Sequence, residues 1–99
     1  MLEERYKTLT QTEVKEAMKN NDVVLLDVRT EDEYFDVSLK ETINIPLNEL
    51  EERAEELDKN KTYITFCRSG IRSKTAALIL MEKGFGKVFN SQEGILTWK

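Results

Sequence analysis

The sequence predicts an α/β fold, and three features carry that prediction. Short apolar runs alternate with longer amphipathic ones, the order expected when strands and helices take turns. The run Val23-Val24-Leu25-Leu26 is continuously apolar and rich in β-branched residues, as suits a strand covered on both faces of a parallel sheet. Two Thr-x-x-Glu sequences mark helix starts among these runs.

Taken in order, a short strand near Lys7–Leu9 opens the chain. Thr10 and Glu13 form a capping box, in which each side chain reaches the other residue's backbone N–H. Leu9 and Val14 stand where a hydrophobic staple forms, and Val14, Ala17 and Met18 share one face of the helix. Asn20-Asn21 is expected to end it. The Val23–Leu26 strand follows, closed by Asp27-Val28-Arg29. Thr30 and Glu33 repeat the capping box and start a short helix through Tyr34. Thr42-Ile43-Asn44-Ile45 reads as a strand, stopped by Pro46. Asn48 to Leu57 reads as a helix with Leu50, Ala54 and Leu57 inward. Its acidic run from Glu49 to Glu56 is a solvated face rather than a docking patch. Tyr63-Ile64-Thr65-Phe66 is a strand, and Cys67 follows it directly. Ser73 to Lys83 is helical, with Ala76, Ala77, Leu80 and Met81 toward the core and Gly84 as the residue after its C-cap. Val88-Phe89 is a last short strand, giving five. Ser91 is expected to cap a final helix carrying Trp98.

The 99 residues fit one domain, 1–99. With 39% hydrophobic and 34% charged residues, the composition is that of a soluble globular domain and excludes general disorder. A net charge of −4 gives no basic footprint for nucleic acid. The apolar run from Ala76 to Met81 is too short to cross a bilayer, and Met1 to Lys7 has no apolar core like that of a signal peptide. A small acidic monomer in the cytoplasm is the expectation. A single Cys excludes an internal disulfide and a resolving-cysteine mechanism within the chain. The absence of His excludes Cys-His and Ser-His pairs and His-containing zinc sites.

The segment that carries chemistry is Cys67-Arg68-Ser69-Gly70-Ile71-Arg72-Ser73, between a strand and a helix. In open α/β sheets, ligands bind beyond the carboxyl ends of strands, where such loops converge. Unpaired N–H groups at the start of the next helix point back at the loop, and successive loop N–H groups curve into an anion-binding nest. Gly70 supplies the backbone freedom for that curve. Arg68, Arg72 and Lys74 make a basic island free of acids, in a chain that elsewhere carries −7. The island suits a small anion. A free thiol has a pKa of about 8.5, and helix N-termini or nearby cations lower it to roughly 3.5–7.5. No His is then needed as a base. Taken singly, each residue has a plainer reading: a lone Cys as a small buried hydrophobe, the arginines as surface charges, Gly70 as an ordinary turn. As a unit they favour a site. For Asp27, Arg29 and Glu33, buried ion pairing and capping are the favoured roles, and for Trp98 core packing.

This unit resembles the active-site loop of the rhodanese family of sulfurtransferases. Leu26-Asp27-Val28-Arg29, Glu33-Tyr34, Ile43-Asn44-Ile45-Pro46 and Gly94 through Trp98 resemble further family segments, so the likeness covers nearly the whole chain. It implies an open, mainly parallel five-stranded sheet with helices on both faces. It implies that Cys67 accepts a sulfane sulfur from a small anionic donor such as thiosulfate, forming a persulfide that cyanide or a cellular thiol discharges. By position, Arg68 and Arg72 would bind the donor's oxygens. Backbone N–H groups across Arg68, Ser69, Gly70, Ile71, Arg72 and Ser73 would stabilise the persulfide, with the Ser73 hydroxyl as a further donor. No cofactor is implied. The chain departs from the family's frequent Gly-His-Ile at Val37-Ser38-Leu39, and from its paired glycines at Glu93-Gly94.

Two other functions stand beside this one. A sulfur carrier or binding module would load Cys67 and pass sulfur to a protein partner. A cysteine phosphatase or arsenate reductase would need a Cys-x5-Arg loop around a tetrahedral oxyanion. The Cys67-to-Arg72 spacing is Cys-x4-Arg, one residue tighter, which favours sulfur.

Overall fold

Strand and helix alternate as the sequence pattern requires. The computed structural model describes residues 6–99. Residues 1–5, part of the N-terminal run read for a signal-like core, lie outside that range. The elements are β1 (Lys7–Leu9), α1 (Gln11–Ala17), β2 (Val23–Asp27), α2 (Glu31–Asp36), β3 (Thr42–Asn44), α3 (Leu47–Arg53), β4 (Thr62–Phe66), α4 (Arg72–Glu82) and β5 (Val88–Ser91). The five strands form one sheet in the order β1-β5-β4-β2-β3, and every pairing is parallel. No helix among the described residues is long and apolar enough to cross a membrane.

Both faces of the sheet are covered. On one face Leu26, Tyr63 and Val88 pack with Leu50 of α3 and Ala76, Ala77 and Leu80 of α4. On the other, Leu25, Ile64 and Phe66 pack with Leu9, Val14 of α1 and Trp98. Alternate residues of β2 and β4 therefore point into different cores, which is why their sequences are apolar at nearly every position. Both capping boxes form, at Thr10–Glu13 and Thr30–Glu33, and Gly84 follows α4 with φ +92°.

The order of strands creates the crevice. From β2 the chain moves outward to β3, and from β4 it moves the opposite way to β5. The connections diverge at the neighbouring carboxyl ends of β2 and β4, the switch point where open α/β sheets bind ligands. Asp27 is in register with Phe66, and the Val28 N–H donates to the Phe66 carbonyl at 2.8 Å. The segment leading to α2 thus lies directly beside the Cys67 loop.

Three local expectations are corrected. Helix α1 stops at Ala17, before Asn20-Asn21, and the helix expected to reach Leu57 gives way to a 3₁₀ turn at Ala54–Glu56. Ser91 does not cap a helix. It ends β5 in register with Leu9 of β1, and its hydroxyl donates to the Glu93 carbonyl at 2.7 Å. The segment after it makes one turn, closed by Thr97 and Trp98 N–H groups on the Gly94 carbonyl. The edge strand β1 supplies hydrogen-bond partners that prolong β5 beyond Val88-Phe89.

Candidate active site

Strand β4 delivers Cys67 to the centre of the sheet's carboxyl edge, and α4 begins five residues later. Cys67 is 1% exposed and sits at the floor of the loop. The Gly70 N–H donates to its Sγ at 3.0 Å, and the Ser73 Oγ lies 3.5 Å from Sγ. Ser73 is buried in the first turn of α4, and its carbonyl is held by the Thr65 hydroxyl at 2.8 Å. No side chain caps α4, so its first N–H groups are left for the sulfur.

Burial pushes the Cys67 thiol up. The Ser73 hydroxyl and the backbone N–H groups of Ser73, Gly70 and Ser69 pull it down by more, leaving it below an ordinary thiol. Of the donors and cations expected to do this work, the hydroxyl and N–H groups carry the larger part; Arg72 adds its field, its own pKa being raised first by the bond to Glu33 and also by charge attraction to Cys67. Arg72 donates to both oxygens of Glu33, at 2.8 and 2.9 Å. This fork holds the Glu33 carboxyl at about 2, with burial opposing it and the Thr30 N–H assisting. Arg68 is exposed and its side chain has no partner among the described residues. Ser69 and Ile71 are also exposed; Ser69 contributes its N–H, and Ile71 is the residue from which α4 starts.

Glycines set the loop's shape at two points. Gly70 has φ +96°, and a Cβ there would lie 2.9 Å from the Gln92 carbonyl oxygen. A Cβ on Gly94 would lie 2.3 Å from the Arg68 carbonyl oxygen and 2.5 Å from that of Cys67. That close approach lets the Ile95 and Leu96 N–H groups donate to the Cys67 and Arg68 carbonyls at 3.0 and 3.1 Å. The C-terminal turn therefore braces the loop from outside, and Trp98 anchors the turn by packing edge-on against Phe66 at 5.5 Å.

A second brace comes from β2. Asp27 and Arg29 form a buried ion pair at 2.8 Å, as expected. Arg29 also donates to the carbonyls of Glu33 and Val37, at 3.2 and 2.7 Å, fixing the end of α2. Asn44 donates to the carbonyls of Asp27 and Arg29, both at 3.0 Å. Of the residues singled out from the sequence, the structure brings Cys67, Gly70, Ser73, Arg72 and Glu33 together. Gly94 and Asn44 stood only in supporting segments, and the close approaches they permit were not foreseen.

The family model for the rhodanese-like domain matches residues 10–99. The chain belongs to the rhodanese-like domain family. It is 34% identical over 94 residues to the thiosulfate sulfurtransferase GlpE of Coxiella burnetii, covering 95% of this chain and 88% of that one. It is 40% identical over 74 residues to the putative sulfur carrier protein YrkF of Bacillus subtilis, covering 75% of this chain but only 40% of YrkF. Among solved structures, a rhodanese-related protein from Thermoplasma volcanium superposes with a TM-score of 0.84 at 31% identity, covering 94% of this chain and 90% of that one. These likenesses place the chain in a sulfurtransferase family, on a rhodanese-like fold.

Proposed function

We propose that this protein moves a sulfane sulfur from an anionic donor of the thiosulfate class to a thiophilic acceptor, through a persulfide on Cys67. The Cys67 thiolate attacks the outer sulfur of thiosulfate. The S–S bond of the donor breaks and sulfite leaves with the bonding pair. Cyanide or a thiolate then takes the outer sulfur, and the bonding pair returns to Cys67. Atoms and electrons balance in both steps, so the cycle needs no cofactor. One free thiol suits a reducing compartment such as the cytoplasm.

The observation that carries this reading is the buried Cys67 sulfur, met by the Gly70 N–H and the Ser73 hydroxyl at the start of an uncapped helix. Such preorganised donors favour a thiolate, and equally the terminal charge of a persulfide. The tight Cys-x4-Arg loop and the thiosulfate sulfurtransferase GlpE at 34% identity support the same donor class. Donor binding falls to the loop N–H groups and to Arg68, whose guanidinium is free. Arg72, spoken for by Glu33, supplies field rather than a fork. The test is intact mass after incubation with thiosulfate. The wild type gains one sulfur atom and Cys67→Ser does not. Failure to load with thiosulfate and with polysulfide rejects the proposal. Thiocyanate release on adding cyanide shows turnover.

A further inference from the structure

Strand β4 is buried from Tyr63 to Phe66, and Thr65 is its one small polar side chain there, fully buried. Valine has the same shape and would match the apolar run of a strand covered on both faces. A hydroxyl in that place costs free energy unless it is bonded. Side chains two apart on a strand share a face, and Tyr63 and Cys67 both pack with Ala76, Ala77 and Leu80 of α4. Thr65, between them, therefore points at the same helix. Its hydroxyl donates to the Ser73 carbonyl at 2.8 Å. The Phe89 carbonyl and the Asn90 Oδ1 stand further off, at 3.2 and 3.5 Å, and a hydroxyl has one proton to give.

The bonded carbonyl belongs to the second residue of α4, in a turn that no side chain caps. Carbonyl oxygens have two lone pairs, so this bond adds to the helix's own. It ties the first turn of α4 to the strand that delivers the nucleophile. Cys67 stands two residues beyond Thr65, and Ser73 presents its hydroxyl 3.5 Å from Sγ. The Ser73 hydroxyl and N–H are among the groups that hold the thiol down. The strand thus sets the separation between the sulfur and its donors at two points, Cys67 and Thr65. Behind Thr65 the row continues across the sheet. Asn90 is its register partner on β5, and Thr8 is that of Asn90 on β1. The Asn90 Nδ2 donates to the Thr8 Oγ1 at 3.3 Å, so the amide beside Thr65 is itself anchored.

We propose that Thr65 is a positioning residue for the sulfur chemistry of Cys67: by gripping the Ser73 carbonyl, it fixes the Ser73 hydroxyl and N–H against Sγ. This role rests on the reading of Cys67 as the nucleophile and adds a residue that never meets substrate. Thr65→Val keeps the shape and removes the grip. The Ser73 carbonyl keeps its helical bond, so no buried acceptor is orphaned and the fold tolerates the change. Thr65→Ser keeps the grip and removes a packed methyl, which leaves a small void. Stability and chemistry therefore respond in opposite order to the two variants. A purely structural residue would move both together.

The test reads three things in the full chain: the pH dependence of Cys67 alkylation by iodoacetamide, the rate of thiosulfate loading, and the urea midpoint. In Thr65→Val, alkylation on the acid side of its midpoint slows at least about threefold. That is a rise in midpoint of about 0.5 unit, within the range for a weakened hydrogen bond to a charged group. Maximal loading slows by a similar factor at the same pH, while the thiosulfate concentration giving half the maximal rate stays within about twofold. In Thr65→Ser, the alkylation midpoint stays within about 0.2 unit of wild type, although its urea midpoint is the lower of the two variants'. Arg72, whose charge reaches Cys67, and Asp27, which reaches Arg72, are unchanged in both. In a Ser73→Ala background, Thr65→Val has less than about half its effect, because the hydroxyl it positions is gone. Any of three results overturns the proposal: an unmoved alkylation midpoint in Thr65→Val, a shift in Thr65→Ser as large as in Thr65→Val, or full additivity with Ser73→Ala. Alkylation needs no sulfur donor. A chain that fails to load yet shows these alkylation shifts rejects the persulfide reading and keeps the clamp; one that loads without them rejects the clamp alone.

Discussion

Glu33→Gln separates the two tasks of Glu33. Glutamine at the third helical position still accepts from the Thr30 N–H, so the cap of α2 survives. What is lost is the charged fork to Arg72. The Glu33 carboxyl falls from 4.5 to about 2, which at ~1.4 kcal/mol per unit is a preference of about 3 kcal/mol for the charged form. Part of that shift belongs to the cap. The pair is also open to solvent, at 34% and 29% exposure for Arg72 and Glu33. Screening reduces the expected loss to about 1–2 kcal/mol. The sign follows from the depressed value. A carboxylate whose folded pKa lies below its unfolded one stabilises the fold fully above about pH 5, and less as pH falls through about 2. Urea unfolding at pH 7 should therefore move to a lower midpoint in the variant, by about 0.5–1 M with unchanged slope. The gap between variant and wild type should close as pH approaches 2. The pH dependence of Cys67 alkylation should stay nearly unchanged, because the thiolate is held by Ser73 and backbone N–H groups. Equal stability at pH 7, or a gap that persists at pH 2, refutes this reasoning.

Further consequences can be measured separately. Ser73→Ala removes the hydroxyl beside Sγ. It should move the alkylation midpoint of Cys67 to higher pH and slow sulfur loading at pH 7 about tenfold, as loss of a hydrogen bond to a charged group implies. Gly94→Ala drives a Cβ against the Arg68 and Cys67 carbonyls; it should cost about 1–3 kcal/mol in urea unfolding and lower the loading rate as the loop shifts. Asp27→Ala leaves the buried Arg29 guanidinium without its carboxylate and should destabilise the chain by about 3–5 kcal/mol by the same assay.

What the sequence made legible was local. Thr10–Glu13 and Thr30–Glu33 are contacts three residues apart, and the Cys67-to-Ser73 loop is a short contiguous run, so residue order alone specifies their geometry. The two-faced burial of Val23–Leu26 was legible because a strand with both faces covered has no polar side to show. Contacts between distant segments were not. Arg72 and Glu33 are 39 positions apart, and only the β2–β4 register brings α2 to the loop. A loop arginine pattern cannot disclose that one of its guanidinium groups is already paired. Gly94 was visible as a glycine, but the carbonyls it must admit lie on Cys67 and Arg68, far back in the chain. Ser91 carried a sound capping signal that lost to pairing with β1, because a backbone ladder along a sheet outweighs one side-chain cap.

A sulfur held by a hydroxyl and backbone N–H groups leaves a specific kinetic signature. In loading, Cys67 is the attacking thiolate; in transfer to an acceptor, it is the leaving thiolate. A lower thiol pKa raises the thiolate fraction and quickens departure, but it also weakens the nucleophile. Burial lifts the Cys67 pKa while Ser73 and the loop N–H groups lower it, so the two steps draw on one balance. Weakening the Ser73 contact must slow both loading and discharge at neutral pH, because thiolate fraction and leaving ability fall together. Raising the pH restores the thiolate fraction and hence the loading rate. It does nothing for leaving ability, since the bond that breaks in discharge is not set by protons in solution. Relative to the wild type at the same pH and cyanide-ion concentration, Ser73→Ala should therefore recover loading in alkaline buffer while its discharge to cyanide stays slower. If both steps recover together, Ser73 acts only by placing the loop, and the sulfur's charge is held by the backbone alone.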